Sequence, residues 1–171
     1  MKNLSTKKII ISSLFLSLTI ISTTFIRIPI LLGYVNLGDA FVFLSAFILG
    51  PILGTIIAGV GCATADLFGY ITYAPGTLII KMAMALVACI LNKVLIKATG
   101  KRLLAEIIAG IIGTIIMAFG YFIYETLFFS TAVVAFVNVP WNLLQGAVGI
   151  FISIIIMRIL SSTKILEKIQ N

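Results

Sequence analysis

The residues able to do chemistry are few, and their positions are informative. Lys81 is the fifth residue of "TLIIKMAMALVACIL", a stretch that is otherwise apolar apart from its opening threonine. Glu125 follows Tyr121 by four residues in "GYFIYETLFF", so the two share a helix face. Asn138, Trp141, Asn142 and Gln145 recur at offsets of three and four and would share a face if their helix begins early enough to include Asn138. Thr77 and Lys81 align in the same way. Tyr34 and Asn36 lie in one Gly- and Pro-containing connection, Tyr70 and Tyr73 in another, with Asp39 and Asp66 beside them. Together these groups can stack a flat ring on aromatics while amides and charges hydrogen-bond its edge.

Other chemistries find little footing. The chain has no histidine, which removes a histidine metal site or a serine–histidine triad. Cys62 and Cys89 lie in different apolar runs and form no CxxC pair, so they read as buried thiols. No GxxxxGK[ST] stretch is present to cradle a nucleotide, and no cluster of carboxylates to hold a metal. A polar line continuous through the membrane is missing too. The residues suggest a binding site with no cofactor and no catalytic residue.

These groups must be positioned by membrane helices. The 171 residues are 61% hydrophobic and only 10% charged, with a mean hydropathy of +1.26. A soluble domain needs roughly a quarter charged residues to solvate its surface, so most of this surface faces lipid. Six spans fit, about 8–26, 37–49, 52–68, 77–96, 103–129 and 141–160, the second being short enough to suggest a tilted or re-entrant element. The expected fold is therefore an all-α integral membrane protein of six transmembrane helices, one domain over residues 1–171. The lysine-rich N-terminus lacks a small-x-small cleavage site and is read as a retained first helix.

The net charge of +7 does not indicate nucleic acid, because the cations gather between apolar segments. Lys2, Lys7, Lys8, Lys93, Lys97, Lys101, Arg102, Arg158, Lys164 and Lys168 fall on one side of a six-span chain, ten of its twelve Lys and Arg. The positive-inside rule then puts both termini in the cytoplasm. Lys81 lies about 7 Å and Glu125 about 6 Å from the outer ends of their helices at ~1.5 Å per residue. Asp66, Asn142 and Gln145 fall in the same outer layer, and the inner half reads as nearly all apolar.

Blander roles exist for each group. Lys81 could snorkel to headgroups, the aromatics could form an interfacial belt, and Glu125 could simply neutralise Lys81. Asn142 and Gln145 could bond helix to helix. Arg27, Glu106 and Arg158 read as edge anchors. The ridge Gly50, Gly54, Ala58, Cys62, Asp66 and the pair Ala109, Gly113 suit close helix packing, whereas Ser13 and Ser17 suit contact with a partner subunit.

The stretch from "GYVNLGD" through "GP", "AD" and "YAPGTLIIK" to "PWNLLQG" resembles the S components of energy-coupling factor (ECF) vitamin transporters, in the riboflavin and hydroxymethylpyrimidine group. The similarity covers nearly the whole chain. It implies a substrate-binding subunit in a prokaryotic plasma membrane, with an outward vitamin site and no ATPase activity of its own. The implied partners are a transmembrane coupling protein and two cytoplasmic ATPases, and the resemblance implies that the subunit topples in the membrane to release substrate inside. Family members commonly carry alanine-xxx-alanine on the first helix for docking; Ser13-xxx-Ser17 stands there in this chain. "YFIYETLFF" and "PWNLLQG" look closer to hydroxymethylpyrimidine or pyridoxine binders than to riboflavin binders. The expected substrate-binding residues are Asn36, Asp66, Tyr73, Lys81, Tyr121, Glu125, Asn138, Trp141, Asn142 and Gln145. Riboflavin, pantothenate or another vitamin, a structural membrane protein, and a membrane enzyme using Asp66 and Glu125 are the alternatives.

Overall fold

A computed structural model describes residues 6–129 and 131–163. Lys2, Lys164 and Lys168, used above to orient the chain, lie outside the described residues. Six helices run in chain order: α1 (Thr6–Phe25), α2 (Gly38–Leu49), α3 (Pro51–Asp66), α4 (Ala74–Thr99), α5 (Arg102–Phe128) and α6 (Ala132–Ser162). Four of them, α1, α4, α5 and α6, are long and apolar enough to cross a membrane; α2 and α3 have 12 and 16 residues.

Local chemistry sets the boundaries. Gly50 has φ +87°, a left-handed conformation that glycine adopts without strain, and Pro51 then opens α3 where its missing N–H is not needed. Pro75 occupies the first turn of α4, which therefore begins three residues before the expected Thr77. Gly100 closes α4 in the left-handed region, donating its N–H to the Ile96 carbonyl. The sixth helix differs most from expectation. It starts at Ala132, not Trp141, and carries Pro140 inside it. Proline removes one intrahelical bond, but Ala135 and Asn138 before it are fully buried, and their packing holds the early turns helical.

The connection after α1 is a hairpin, which the sequence pattern showed only as a break. β1 (Arg27–Pro29) pairs antiparallel with β2 (Tyr34–Asn36), placing Arg27 opposite Asn36 and Pro29 opposite Tyr34. Strands of three residues are too short to display alternation. Asn36 ends the hairpin and begins the next helix, since its Oδ1 accepts the Gly38 N–H at 2.8 Å.

α2 is the centre of the bundle. Ten of its twelve residues are buried, which is possible because α1, α3, α4 and α6 all pack against it. Phe43 and Leu44 from α2, Met84 from α4 and Met117 from α5 form the middle of the core. Where α2 meets α3, a Cβ on Gly54 would sit 2.6 Å from the Ala46 Cα and the Ser45 carbonyl, so only glycine lets the two backbones approach this closely. Ala58 and Cys62 further along the same ridge have no exposed surface, and Gly113 of α5 faces Phe43 and Ala88. Both ridges are thus used inside the chain. Large apolar side chains such as Ile79, Phe119, Val133 and Phe151 cover the outside, as lipid requires.

Candidate functional site

The hairpin, the starts of α2, α4 and α6 and the ends of α1, α3 and α5 meet at one end of the bundle, called here the hairpin end. They enclose a narrow recess with about 20 Å³ of free volume. Eight of the ten expected binding residues line it: Asn36, Asp66, Tyr73, Lys81, Tyr121, Glu125, Asn142 and Gln145. Thr23, Leu32, Gly33, Tyr34, Cys62 and Thr77 complete the wall.

Two expected residues are placed elsewhere. Asn138 is fully buried behind Glu125, donating its amide to Glu125 Oε2 at 3.1 Å and to the Leu32 carbonyl at 2.7 Å. Trp141 is 45% exposed and borders an apolar groove with Ile26, Ile28 and Leu144 on the outside of the bundle. The reason is angular. At about 100° per residue, Trp141 lags Asn138 by some 60°, enough to leave the face shared by Asn138, Asn142 and Gln145.

Lys81 also has a different partner from the expected one. Its ammonium forms an ion pair with Asp39, not with Glu125. Both side chains are essentially without exposure, at 1% and 0%. Gln145 completes the arrangement, donating Nε2 to Asp39 Oδ2 at 2.8 Å and accepting the Asn36 N–H on Oε1 at 2.8 Å. Met117 Sδ lies 2.8 Å from Lys81 Nζ, and the Tyr121 ring centroid 5.7 Å from it. Room for Asp39 comes from Gly149 on α6, where a Cβ would stand 2.8 Å from that of Asp39. Lys81 and Asp39 are each a lone charge in an apolar segment, a signal that they need partners. That signal alone does not choose among Asp39, Asp66 and Glu125.

Tyrosines and amides hold the remaining carboxylates. Tyr34 donates its hydroxyl to Asp66 Oδ1, and Tyr73 donates to Glu125 Oε1 at 3.4 Å. Burial, and next the adjacent Asp66 carboxylate, push the Tyr34 phenol far above its ordinary value. Burial and then Glu125 do the same for Tyr73. Both remain neutral donors across the physiological range. Thr77 and Tyr121 share a hydrogen bond of 3.0 Å.

The edge anchors resolve differently. Arg27 donates twice to the Phe68 carbonyl, at 3.1 Å each, and lies over the Tyr34 and Tyr70 rings, clasping the hairpin to the α3–α4 loop. Glu106 is 1% exposed and bonds to Arg102, so it is no headgroup anchor. Together with buried Asn92, Ser45 and Ser153, it makes the far half of the bundle less uniformly apolar than expected. Ser45 and Ser153 satisfy themselves on the Val42 and Ile150 carbonyls. On α1, Ser13 and Ser17 face outward, and Ser13 borders a groove floored by Leu53, Ile56 and Ile57 of α3.

What this arrangement can do is bind: a recessed cavity, aromatic walls, and hydrogen-bonding groups converging from every surrounding element. Comparison with known proteins agrees. A protein from the gap 3′ region of Pyrococcus woesei, itself uncharacterized, is 33% identical over 137 residues, 77% of this chain and 86% of that protein. A solved structure of the S component of a bacterial ECF transporter superposes with a TM-score of 0.68, covering 92% of this chain and 96% of that one. Its sequence identity is 22%, so it speaks for the fold. The family described as ECF-type riboflavin transporter, S component, matches residues 3–162, and the chain belongs to that family of membrane transport subunits, not to an enzyme family.

Proposed function

We propose that this chain captures a small heteroaromatic vitamin or vitamin precursor, of hydroxymethylpyrimidine or pyridoxine type, from outside a prokaryotic cell. The observation that carries the reading is the cavity at the hairpin end, where Tyr34, Tyr73 and Tyr121 stand beside Asp66, Lys81, Glu125, Asn142 and Gln145. A monocyclic ring with hydroxymethyl and amino or hydroxyl substituents matches such walls, stacking on phenol rings and placing its polar edge among amides and carboxylates. The hairpin end faces outward in this proposal and both termini lie in the cytoplasm, as the basic residues Lys93, Lys97, Lys101, Arg102 and Arg158 at the opposite end favour. All six helices then lie in the membrane, α2 shielded from lipid by its neighbours.

Transport itself is assigned to partners: a membrane coupling protein docked on α1 through Ser13 and Ser17, and two ATPases beneath it. The outward placement of the two serines supports this, since small side chains on an unpaired helix face allow a second helix to approach. Riboflavin is the second reading, supported by the description of the matched family. Thermal unfolding of the purified chain with a B-vitamin panel at micromolar concentration tests both. Stabilisation by hydroxymethylpyrimidine or pyridoxine supports the first reading and by riboflavin alone the second; no shift with any vitamin overturns the assignment.

A further inference from the structure

The balance of charge inside the cavity carries a statement about which ligands it admits. Among the described residues Lys81 is the one ammonium in the wall, and Asp39 already neutralises it. Asp66 and Glu125 are each only 2% exposed and have no cationic partner within ion-pairing distance among the described residues. Their hydrogen bonds come from neutral groups, Tyr34 for Asp66, and Tyr73 and Asn138 for Glu125. Asp66 Oδ2 is buried and, among the described residues, has no partner in hydrogen-bonding geometry, the Thr77 hydroxyl being its neutral neighbour. Arg27, the other cation at this end, is directed onto the Phe68 carbonyl.

Ionising a buried carboxyl group that has no cation beside it is costly, by several kcal/mol in a low-dielectric interior. A positively charged ligand would relieve that cost at two places in one cavity. An anionic ligand would meet the same two carboxyl groups with no free counter-charge, and it would find Lys81 engaged. Drawing Lys81 to the ligand would in turn strand Asp39.

We infer that the cavity selects by charge: it takes a cationic heteroaromatic, bearing a protonated amine or an amidine-like N–C–NH2 edge, over neutral and anionic rings of the same size. A ligand N–H donates to Asp66 Oδ2, and a second positive edge faces Glu125. Phosphorylated forms of the same ring are refused. This rests on the vitamin-binding reading and narrows it to a charge class.

Matched ligands test it by isothermal titration on the purified chain. Pyridoxamine, pyridoxine and 4-pyridoxate share one ring and differ in charge; 4-amino-5-hydroxymethyl-2-methylpyrimidine and its monophosphate form a second series. The expected order is cation, then neutral, then anion, with about a hundredfold between the ends, since like charges in a low dielectric repel strongly. Glu125→Gln, and separately Asp66→Asn, should each shrink the cation-to-anion ratio by about tenfold, the size of one lost charge-assisted contact. An anion binding as tightly as the cation overturns the charge selection and leaves vitamin capture standing. Tight binding of neutral riboflavin alone does the same. No binding by any of these overturns both.

Discussion

The Lys81–Asp39 pair joins α4 to α2 near the hairpin end, with neither side chain exposed beyond 1%, whereas Arg102–Glu106 spans one turn of α5 at the opposite end, its arginine 36% exposed. The chemistry is the same, but the surroundings differ. Lys81 and Asp39 are almost wholly removed from water, and Gln145 donates to the second Asp39 oxygen, so the pair ties three helices into one polar unit. Arg102 can still be hydrated, while Glu106, one turn along the same helix, is 1% exposed and takes its hydrogen bond from that arginine. The ion pair that crosses between helices at the candidate site therefore has both members shut away from solvent, while the one within a helix at the edge has only its carboxylate so placed.

Breaking the pairs should separate them in magnitude. Lys81→Ala leaves Asp39 charged and buried, so a loss of about 3–5 kcal/mol is expected in thermal or denaturant unfolding. The double change Lys81→Met with Asp39→Asn removes both charges and should recover most of that loss. A single variant as stable as the original chain would mean the pair contributes nothing across the helices. Next in size, Asn142→Ala should weaken vitamin binding by about tenfold, roughly 1.4 kcal/mol, with unfolding little changed. Titration of the ligand checks it, and unaltered affinity would move the ligand away from α6. Arg102→Gln should then cost less than Lys81→Ala, about 1–2 kcal/mol, because the glutamine amide can still donate to the buried Glu106. A cost equal to that of Lys81→Ala would erase the contrast between the two ends.

The smallest effect on the chain by itself is expected for Ser13→Leu or Ser17→Leu, which alter an outward face of α1. Neither should move unfolding or ligand affinity by a measurable amount, yet uptake by cells carrying the whole transporter should fall. Full uptake with both changes would place docking on another face.

The sequence carried the helical class, the level of Lys81, Glu125, Asn142 and Gln145, and the small-residue ridges, because apolar length, depth and spacing are local properties. Partnership is not local. Lys81 needed an acid, and three were within range at the same level; only the packing of α2 into the middle of the bundle selects Asp39. Trp141 fell from the shared face for a similar reason, since offsets of three and four lie on opposite sides of a helix meridian and the wider spread puts one side chain outside. The early start of α6 was hidden by Pro140, a local breaker overruled by the burial of Ala135 and Asn138. Three-residue strands left no periodic trace.

The enclosure of α2 has a consequence for how the protein responds to its surroundings. Hydrophobic mismatch acts on helices that touch acyl chains, which tilt or recruit lipid when the bilayer is thinner or thicker than their apolar length. With 26, 27 and 31 residues, α4, α5 and α6 are exposed to that force. With 12 residues and almost no lipid-facing surface, α2 is not. Asp39, and through it the floor of the cavity, is thereby fixed to the one helix whose length the membrane does not set.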